Sequence, residues 1–189
     1  MIITDCIIKK MEQYKIITDD IEIYTYGLNN GFTLIINLLT AIIISIILKK
    51  TDLLFFLIIS FIPLRSYSGG FHCKSRLSCY ICSSMLISFL LIIQFILCKI
   101  FIVFSAISFV CFIFLYIRQT KGSTIRALEL EEIIQFTKIK RIILLSILFS
   151  SILLTITDNK LYATTLMSSI TCVTILLFIE KVNCFISKT

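Results

Sequence analysis

The sequence predicts an all-α membrane protein with about six transmembrane helices in a single domain, residues 1–189. Hydrophobic residues make up 58% of the chain and its mean hydropathy is +1.03, whereas soluble domains are roughly 45–50% apolar. Six apolar runs follow one another without an internal repeat or a low-complexity linker. They are Phe32–Leu48, Leu53–Leu64, Tyr80–Cys98, Ile100–Ile117, Ile142–Thr157 and Leu161–Ile179.

The N-terminal segment has the pattern of an amphipathic helix. Apolar side chains recur at steps of three or four residues from Ile7 to Tyr24, with charged residues off that stripe. Such a helix lies in the inner membrane interface or packs against the transmembrane bundle. A cleavable signal peptide is not expected, because charged residues recur through Glu22. Gly27 and Gly31 predict a turn into the first span.

Most of the apolar runs are long enough to cross a membrane. A spanning helix needs about 20 apolar residues, with a range of about 17–25; four runs meet this range and Ile142–Thr157 falls just below it. Leu53–Leu64 is short, so it either crosses with a tight fit or forms a half-helix or re-entrant segment. Pro63 predicts the end of this second helix, since proline lacks a backbone donor and disfavours helix before it.

The distribution of Lys and Arg predicts the orientation. If all six runs cross and the N-terminus is inside, only four basic residues lie outside: Lys49, Lys50, Lys99 and Lys160. Cytoplasmic loops retain Lys and Arg, so both termini are expected in the cytoplasm of a multi-pass cell-membrane protein. Residues 118–141 are then a basic cytoplasmic loop that attracts anionic membrane lipids.

A polar segment between the second and third runs contains the only histidine, His72. Irregular backbone near a membrane occurs where protein buries it or where it lines a wet cavity, so this segment is either a turn or a site. On one straight helix, His72 and Cys79 would lie about 10.5 Å apart along the axis. They can therefore cooperate only if the chain bends, and Gly69-Gly70 permits such a bend.

Cys79 has the surroundings of a reactive thiol. It is expected near the N-terminus of the third span, with Lys74 and Arg76 beside it, and both features favour the thiolate. A Cys–His pair of nucleophile and base is therefore possible.

Metal and dithiol chemistry are the weaker interpretations of the same cysteine. Cys79 and Cys82 form a C-x-x-C pair, which with His72 and Cys73 could suggest zinc or redox function. There is no second C-x-x-C and the pair enters an apolar run, so neither a metal nor another cofactor is expected.

Several features of the chain match a known family: Arg65, Gly69-Gly70, His72 and Cys79 lie between short spans in a chain of this length. In these features the sequence resembles the accessory gene regulator B (AgrB) family. The basic segment after the fourth span is similar as well, although many relatives carry prolines there and residues 118–141 have none. The resemblance implies a membrane cysteine endopeptidase that cuts the C-terminal tail from a quorum-sensing propeptide, with His72 and Cys79 as the catalytic pair.

The resemblance also implies a reaction course. Cys79 attacks the scissile carbonyl and forms an acyl-thioester, while His72 acts as base and then protonates the leaving amine. Gly69 and Gly70 either hold the oxyanion or only shape the turn. A cysteine or serine of the peptide then displaces Cys79 and closes a thiolactone or lactone.

The resemblance implies a propeptide partner with an amphipathic N-terminal part and an acidic tail. Membrane lipids are expected as partners of the basic loop, and six thin spans with a short second one predict a homodimer. No nucleic acid is expected. Lys138, Lys140 and Arg141 are candidates to bind or orient the acidic tail. Arg65 either orients the site or anchors its helix at the interface.

The alternative is a small transporter or membrane scaffold whose polar loop is structural. Transporters usually carry intramembrane charges or paired broken helices. Here the spans contain little beyond Gln94 and hydroxyl residues, and the second half has no Gly or Pro break that mirrors the first. These features favour the peptidase.

Overall fold

A computed structural model of the chain describes residues 21–68, 76–120 and 130–186. This part of the chain forms six α-helices and contains no strand, which confirms the all-α prediction. The helices are α1 (Ile21–Ile47), α2 (Thr51–Ser68), α3 (Arg76–Lys99), α4 (Phe101–Ile117), α5 (Leu130–Ile156) and α6 (Lys160–Ile186). The predicted N-terminal amphipathic helix lies outside the described residues, except that its last residues, from Ile21, begin α1.

All six helices have apolar stretches of membrane-spanning or near-spanning length. Four of them, α2, α3, α5 and α6, are long and apolar enough to cross a membrane. The other two contribute shorter apolar stretches, Gly31–Ile47 and Phe101–Ile117, which lie at the lower limit of about 17 residues. The described residues therefore form a multi-pass membrane bundle.

The helices are arranged around α6. It packs against α2, α3, α4 and α5, and the five other helices contact one another in the order α1, α2, α5, α4, α3 and back to α1. Small side chains such as Ala163, Thr164 and Ser169 are fully buried in α6, and small residues let membrane helices approach closely. Their hydroxyls are satisfied locally, since Thr164 Oγ1 donates to the Leu161 carbonyl at 2.8 Å.

The outer faces of the surrounding helices are apolar. Ile46, Phe89, Ile102 and Phe149 are each more than half exposed. Exposed apolar side chains in such density would be unfavourable in water, so these faces are suited to lipid. The bundle thus has a polar, small-residue centre and an apolar perimeter.

The turns that join α1 to α2 and α5 to α6 lie at one end of the bundle. Each contains a residue in the left-handed region, Lys49 with φ 55° and Asp158 with φ 61°, which lets the chain reverse after a helix. The Tyr162 hydroxyl donates to Asp52 at 2.8 Å and so joins the starts of α6 and α2. Because α3 begins and α2 ends at the other end, Cys79 lies far from these turns.

The prediction that the second helix ends at Pro63 is wrong. Helix α2 continues through Pro63 to Ser68, although proline removes the backbone bond to the carbonyl four residues earlier. Phe61 and Leu64 are buried on either side of it, and packing of this kind lets membrane helices tolerate proline. The segment is consequently a helix of spanning length, Thr51–Ser68, rather than a half-helix.

Two further predictions of irregular structure are wrong. The expected turn at Gly27 and Gly31 is part of α1. A Cβ added at either glycine would have no atom within 4 Å, so neither position needs glycine for a close contact. The predicted loop 118–141 is helical from Leu130 onwards. Glu131 and Glu132 occupy the first turn of that helix, where negative charge complements the helix dipole.

Candidate active site

Cys79 is in the first turn of α3 and carries a free, partly exposed thiol. The amide groups at a helix N-terminus have no intrahelical acceptor and carry partial positive charge. Cys82 lies one turn further along the helix and is exposed. The structure therefore presents the predicted nucleophile at a helix end where an anion is favoured.

A hydrogen bond between two hydroxyl groups joins the start of α3 to α1. The Tyr80 and Thr40 hydroxyl oxygens are 2.8 Å apart. Thr40 Oγ1 also donates to the Ile36 carbonyl at 2.9 Å, so its single proton is committed and Tyr80 is the donor in the pair. Tyr80 directly follows Cys79, and this contact orients the turn that carries the thiol.

Arg65 lies in the last turn of α2, at the same end of the bundle as Cys79. Its guanidinium carbon is 5.8 Å from the centroid of the Phe61 ring, a cation–π distance. In the ring of helices, α1 lies between α2 and α3. Arg65 and Cys79 therefore lie on the two helices that flank α1.

The segment between these helices, residues 69–75, lies outside the described residues. It contains Gly69, Gly70 and His72, so the structure places Cys79 and Arg65 of the predicted site but not these three. The pairing of His72 with Cys79 stays a prediction. Within the described ranges, no group of three His, Cys, Asp or Glu side chains could hold a metal.

The three basic residues predicted to meet the substrate have different environments. Lys138 is exposed on α5. Lys140 is only 1% exposed, and its ammonium donates to the Arg118 carbonyl just beyond α4. Arg141 Nε donates to the Tyr116 carbonyl at 3.2 Å, and its guanidinium carbon is 5.1 Å from the Tyr116 ring centroid.

These contacts connect the end of α4 to neighbouring helices. The last carbonyls of a helix lack intrahelical donors, and Lys140 and Arg141 supply them from α5. Thr120 adds two bonds, since its N–H donates to Thr137 Oγ1 at 3.1 Å and its hydroxyl donates to the Tyr67 carbonyl at 2.9 Å. The ends of α4 and α2 are thereby joined to α5.

Sequence reasoning did not identify Tyr80, Thr40 or Thr120 as parts of this region. Tyr80 adjoins the predicted nucleophile, which was a usable signal. Its partner Thr40 is 40 residues away inside another apolar run, and no local pattern marks that contact.

Comparison with known proteins identifies the family. The chain matches the accessory gene regulator B family over residues 3–178, which includes the polar segment, Cys79 and the basic stretch before Ile142. No curated protein and no solved structure matches the sequence. Because the match covers nearly the whole chain, the protein belongs to the accessory gene regulator B family.

Proposed function

We propose that this protein is a membrane cysteine endopeptidase that removes the C-terminal tail of a quorum-sensing propeptide. The family is associated with the processing of autoinducing peptide precursors in quorum sensing. The partly exposed thiol of Cys79 in the first turn of α3 carries the proposal, because a nucleophile must be accessible and a helix N-terminus stabilises its anionic form.

The reaction uses two residues of this chain. His72 accepts the thiol proton as Cys79 attacks the scissile carbonyl, and then donates that proton to the leaving amine as the C–N bond breaks. The peptide remains bound to Cys79 as an acyl-thioester. A thiol or hydroxyl of the same peptide then attacks this carbonyl, closes a thiolactone or lactone, and releases Cys79 as the thiol.

The proposed pairing needs a rigid thiol and a nearby imidazole. The Tyr80–Thr40 hydrogen bond supports the first requirement, since it fixes the turn next to Cys79. Chain connectivity supports the second, because four peptide units separate His72 from Arg76 and limit their Cα distance to about 14 Å. Backbone N–H groups of Gly69 and Gly70 are the proposed oxyanion donors.

The proposed substrate contacts follow the observed exposure of the basic residues. Lys138 is exposed and is proposed to meet the acidic tail directly. Lys140 and Arg141 are bound to carbonyls of the α4 end, so they contribute positive potential rather than a direct contact. Arg65 is proposed to orient the segment that carries His72, from the last turn of α2.

We also propose that the site faces the cytoplasm together with both chain termini. The helix ends at Arg65, Arg76 and Arg118 share one side of the bundle with the start of α5, and the opposite turns carry fewer basic residues. Retention of Lys and Arg on the cytoplasmic side supports this orientation.

Replacement of the catalytic pair tests the function. Candidate propeptides with acidic tails are co-expressed with the wild-type chain or with Cys79→Ala, His72→Ala and Cys82→Ala, and tail release is followed by mass spectrometry. We expect Cys79→Ala and His72→Ala to lose at least about a thousandfold in cleavage rate, because nucleophile and base act as a unit. Cys82→Ala is the matched control and should retain cleavage.

Intact-mass analysis of the wild-type and Cys79→Ala enzymes provides the second measurement. A hydroxylamine-sensitive peptide adduct should form on the wild-type enzyme and be absent from Cys79→Ala, since hydroxylamine cleaves thioesters. Cleavage that survives in Cys79→Ala and disappears in Cys82→Ala would show that the nucleophile is Cys82 and not Cys79.

A further inference from the structure

Three cations meet at the junction of α4 and α5. We call Arg118, Lys140 and Arg141 the α4–α5 basic site. Lys140 donates to the Arg118 carbonyl, and Arg141 donates to the Tyr116 carbonyl at 3.2 Å. These bonds hold Lys140 and Arg141 of α5 against the end of α4, next to Arg118.

The positive charge of this site is not balanced by the described neighbours that bear on it. Lys140 is 1% exposed, and the charges of Arg118 and Arg141 that act on it are both positive. Within the part of the chain that the structure describes, Nη1 of Arg118 is buried and has no hydrogen-bond partner. A buried, unpaired cationic donor is unfavourable, so a bound anion would stabilise the site.

The surroundings of the site indicate where that anion comes from. Tyr116, Ile117 and Ile142 are 38%, 70% and 59% exposed, so apolar surface borders the cations on both helices. The long apolar run of α5 begins at Ile142, directly after Arg141. The cations therefore lie at the boundary between apolar and polar parts of the bundle, the level at which lipid phosphates lie.

We propose that Arg118 and Arg141 bind the phosphate group of an anionic membrane phospholipid, with the buried Lys140 adding positive charge behind them. Guanidinium groups pair with phosphate oxygens in a two-bond geometry, and basic pockets between transmembrane helices hold lipid headgroups. The phosphate lies against the guanidinium groups of Arg118 and Arg141, where it supplies the missing partner of Arg118 Nη1, and the acyl chains lie along Ile117 and Ile142. A peptide carboxylate or free phosphate shares the oxyanion chemistry, but neither would use this apolar border.

Lipid retention tests the proposal on the full-length protein. Wild type, Arg118→Gln and Lys138→Gln are reconstituted in nanodiscs of equal parts phosphatidylcholine and phosphatidylglycerol, and the phosphatidylglycerol retained after release from the disc is counted by native mass spectrometry. We expect Arg118→Gln to retain at least about fivefold less, because the phosphate loses a charged hydrogen-bond donor. Lys138→Gln removes an exposed charge from the same helix and should match wild type.

Two further variants keep the test decisive if Arg118→Gln folds poorly. Arg141→Gln should show the same loss, and Arg118→Lys, which keeps the charge, should recover most of the retention. Equal retention by wild type, Arg118→Gln and Arg141→Gln would overturn the proposal.

Competing anions are tested in discs of phosphatidylcholine alone. Thermal unfolding is measured with added inorganic phosphate, and separately with a synthetic Asp- and Glu-rich peptide. We expect neither to raise the unfolding midpoint in an Arg118-dependent way. A rise with phosphate would assign the site to a free anion, and a rise with the peptide would assign it to the substrate tail; either result overturns the lipid assignment.

Discussion

Tyr80 directly follows Cys79 in the chain, and its phenol ties the start of α3 to α1. Because the Thr40 proton already goes to the Ile36 carbonyl, Tyr80 must donate, and the 2.8 Å contact has one defined direction. A hydrogen bond between membrane helices contributes roughly 0.6–2 kcal/mol. Its larger effect here is positional, since a small rotation of this turn would move the Cys79 sulfur away from a reacting carbonyl.

Loss of the Tyr80 hydroxyl should slow catalysis more than it destabilises the fold. We expect Tyr80→Phe to reduce the unfolding free energy by about 1 kcal/mol and to reduce the rate of tail release severalfold with little change in KM, because the thiol is misplaced after substrate has bound. Thermal unfolding in detergent and steady-state cleavage measure the two effects. Thr40→Val is the second arm of a double-mutant cycle; additive effects of the two replacements would contradict a direct Tyr80–Thr40 interaction.

Single residues of the site were predictable to different degrees. Cys79 could be selected because a thiol next to a polar, glycine-containing segment is unusual in an apolar chain. Lys140 was grouped with Lys138 as a substrate contact, because charge alone cannot distinguish a buried lysine from an exposed one. The difference arises from the distant Arg118 carbonyl that Lys140 contacts, and sequence spacing carries no signal for it.

At the level of helices, the existence of all six elements was predictable and several of their ends were not. The apolar runs located every helix. Pro63 was expected to end α2, but buried Phe61 and Leu64 hold the helix on both sides of the proline. Helix α5 begins 12 residues before Ile142. The charged residues of this stretch are typical of a loop, although its backbone is helical.

The early turns of α5 have a structural role that a loop would lack. They place Lys140 opposite the last carbonyls of α4, where a donor from the same helix is not available. Thr137, one turn earlier, accepts from the Thr120 N–H at 3.1 Å. The extension of α5 therefore closes the end of α4 by side-chain hydrogen bonds.

Removal of the Lys140 ammonium should weaken this junction. We expect Lys140→Met to reduce the unfolding free energy by about 1–3 kcal/mol, because the Arg118 carbonyl loses a donor, as measured by thermal or denaturant unfolding in detergent. Lys138→Met is the matched control, and its exposed position should keep the change within about 0.5 kcal/mol. A more stable Lys140→Met protein would mean that repulsion from Arg118 and Arg141 outweighs the hydrogen bond.

For the whole bundle, the most buried helix is not the most apolar one. In α6, 61% of the apolar window is buried, against 17% in α3, yet α6 contains many of the Ser and Thr residues of the spans. Lipid selects large apolar side chains on the perimeter, whereas close helix packing selects small ones at the centre. The run lengths did not reveal this arrangement, since they measure how apolar a helix is and not which neighbours it contacts.

The central position of α6 predicts an asymmetric tolerance to larger side chains. Ala163 in α6 is 0% exposed, so Ala163→Leu inserts three carbon atoms where α6 packs against its neighbours and should destabilise by about 1–3 kcal/mol. Ala106→Leu adds the same atoms on α4 at an exposed position, where lipid yields, and should change stability by less than about 0.5 kcal/mol. Thermal unfolding and the monodisperse fraction after detergent extraction compare the two variants. Equal losses in both would contradict the central packing of α6, because an added side chain causes strain only where neighbouring helices pack against it.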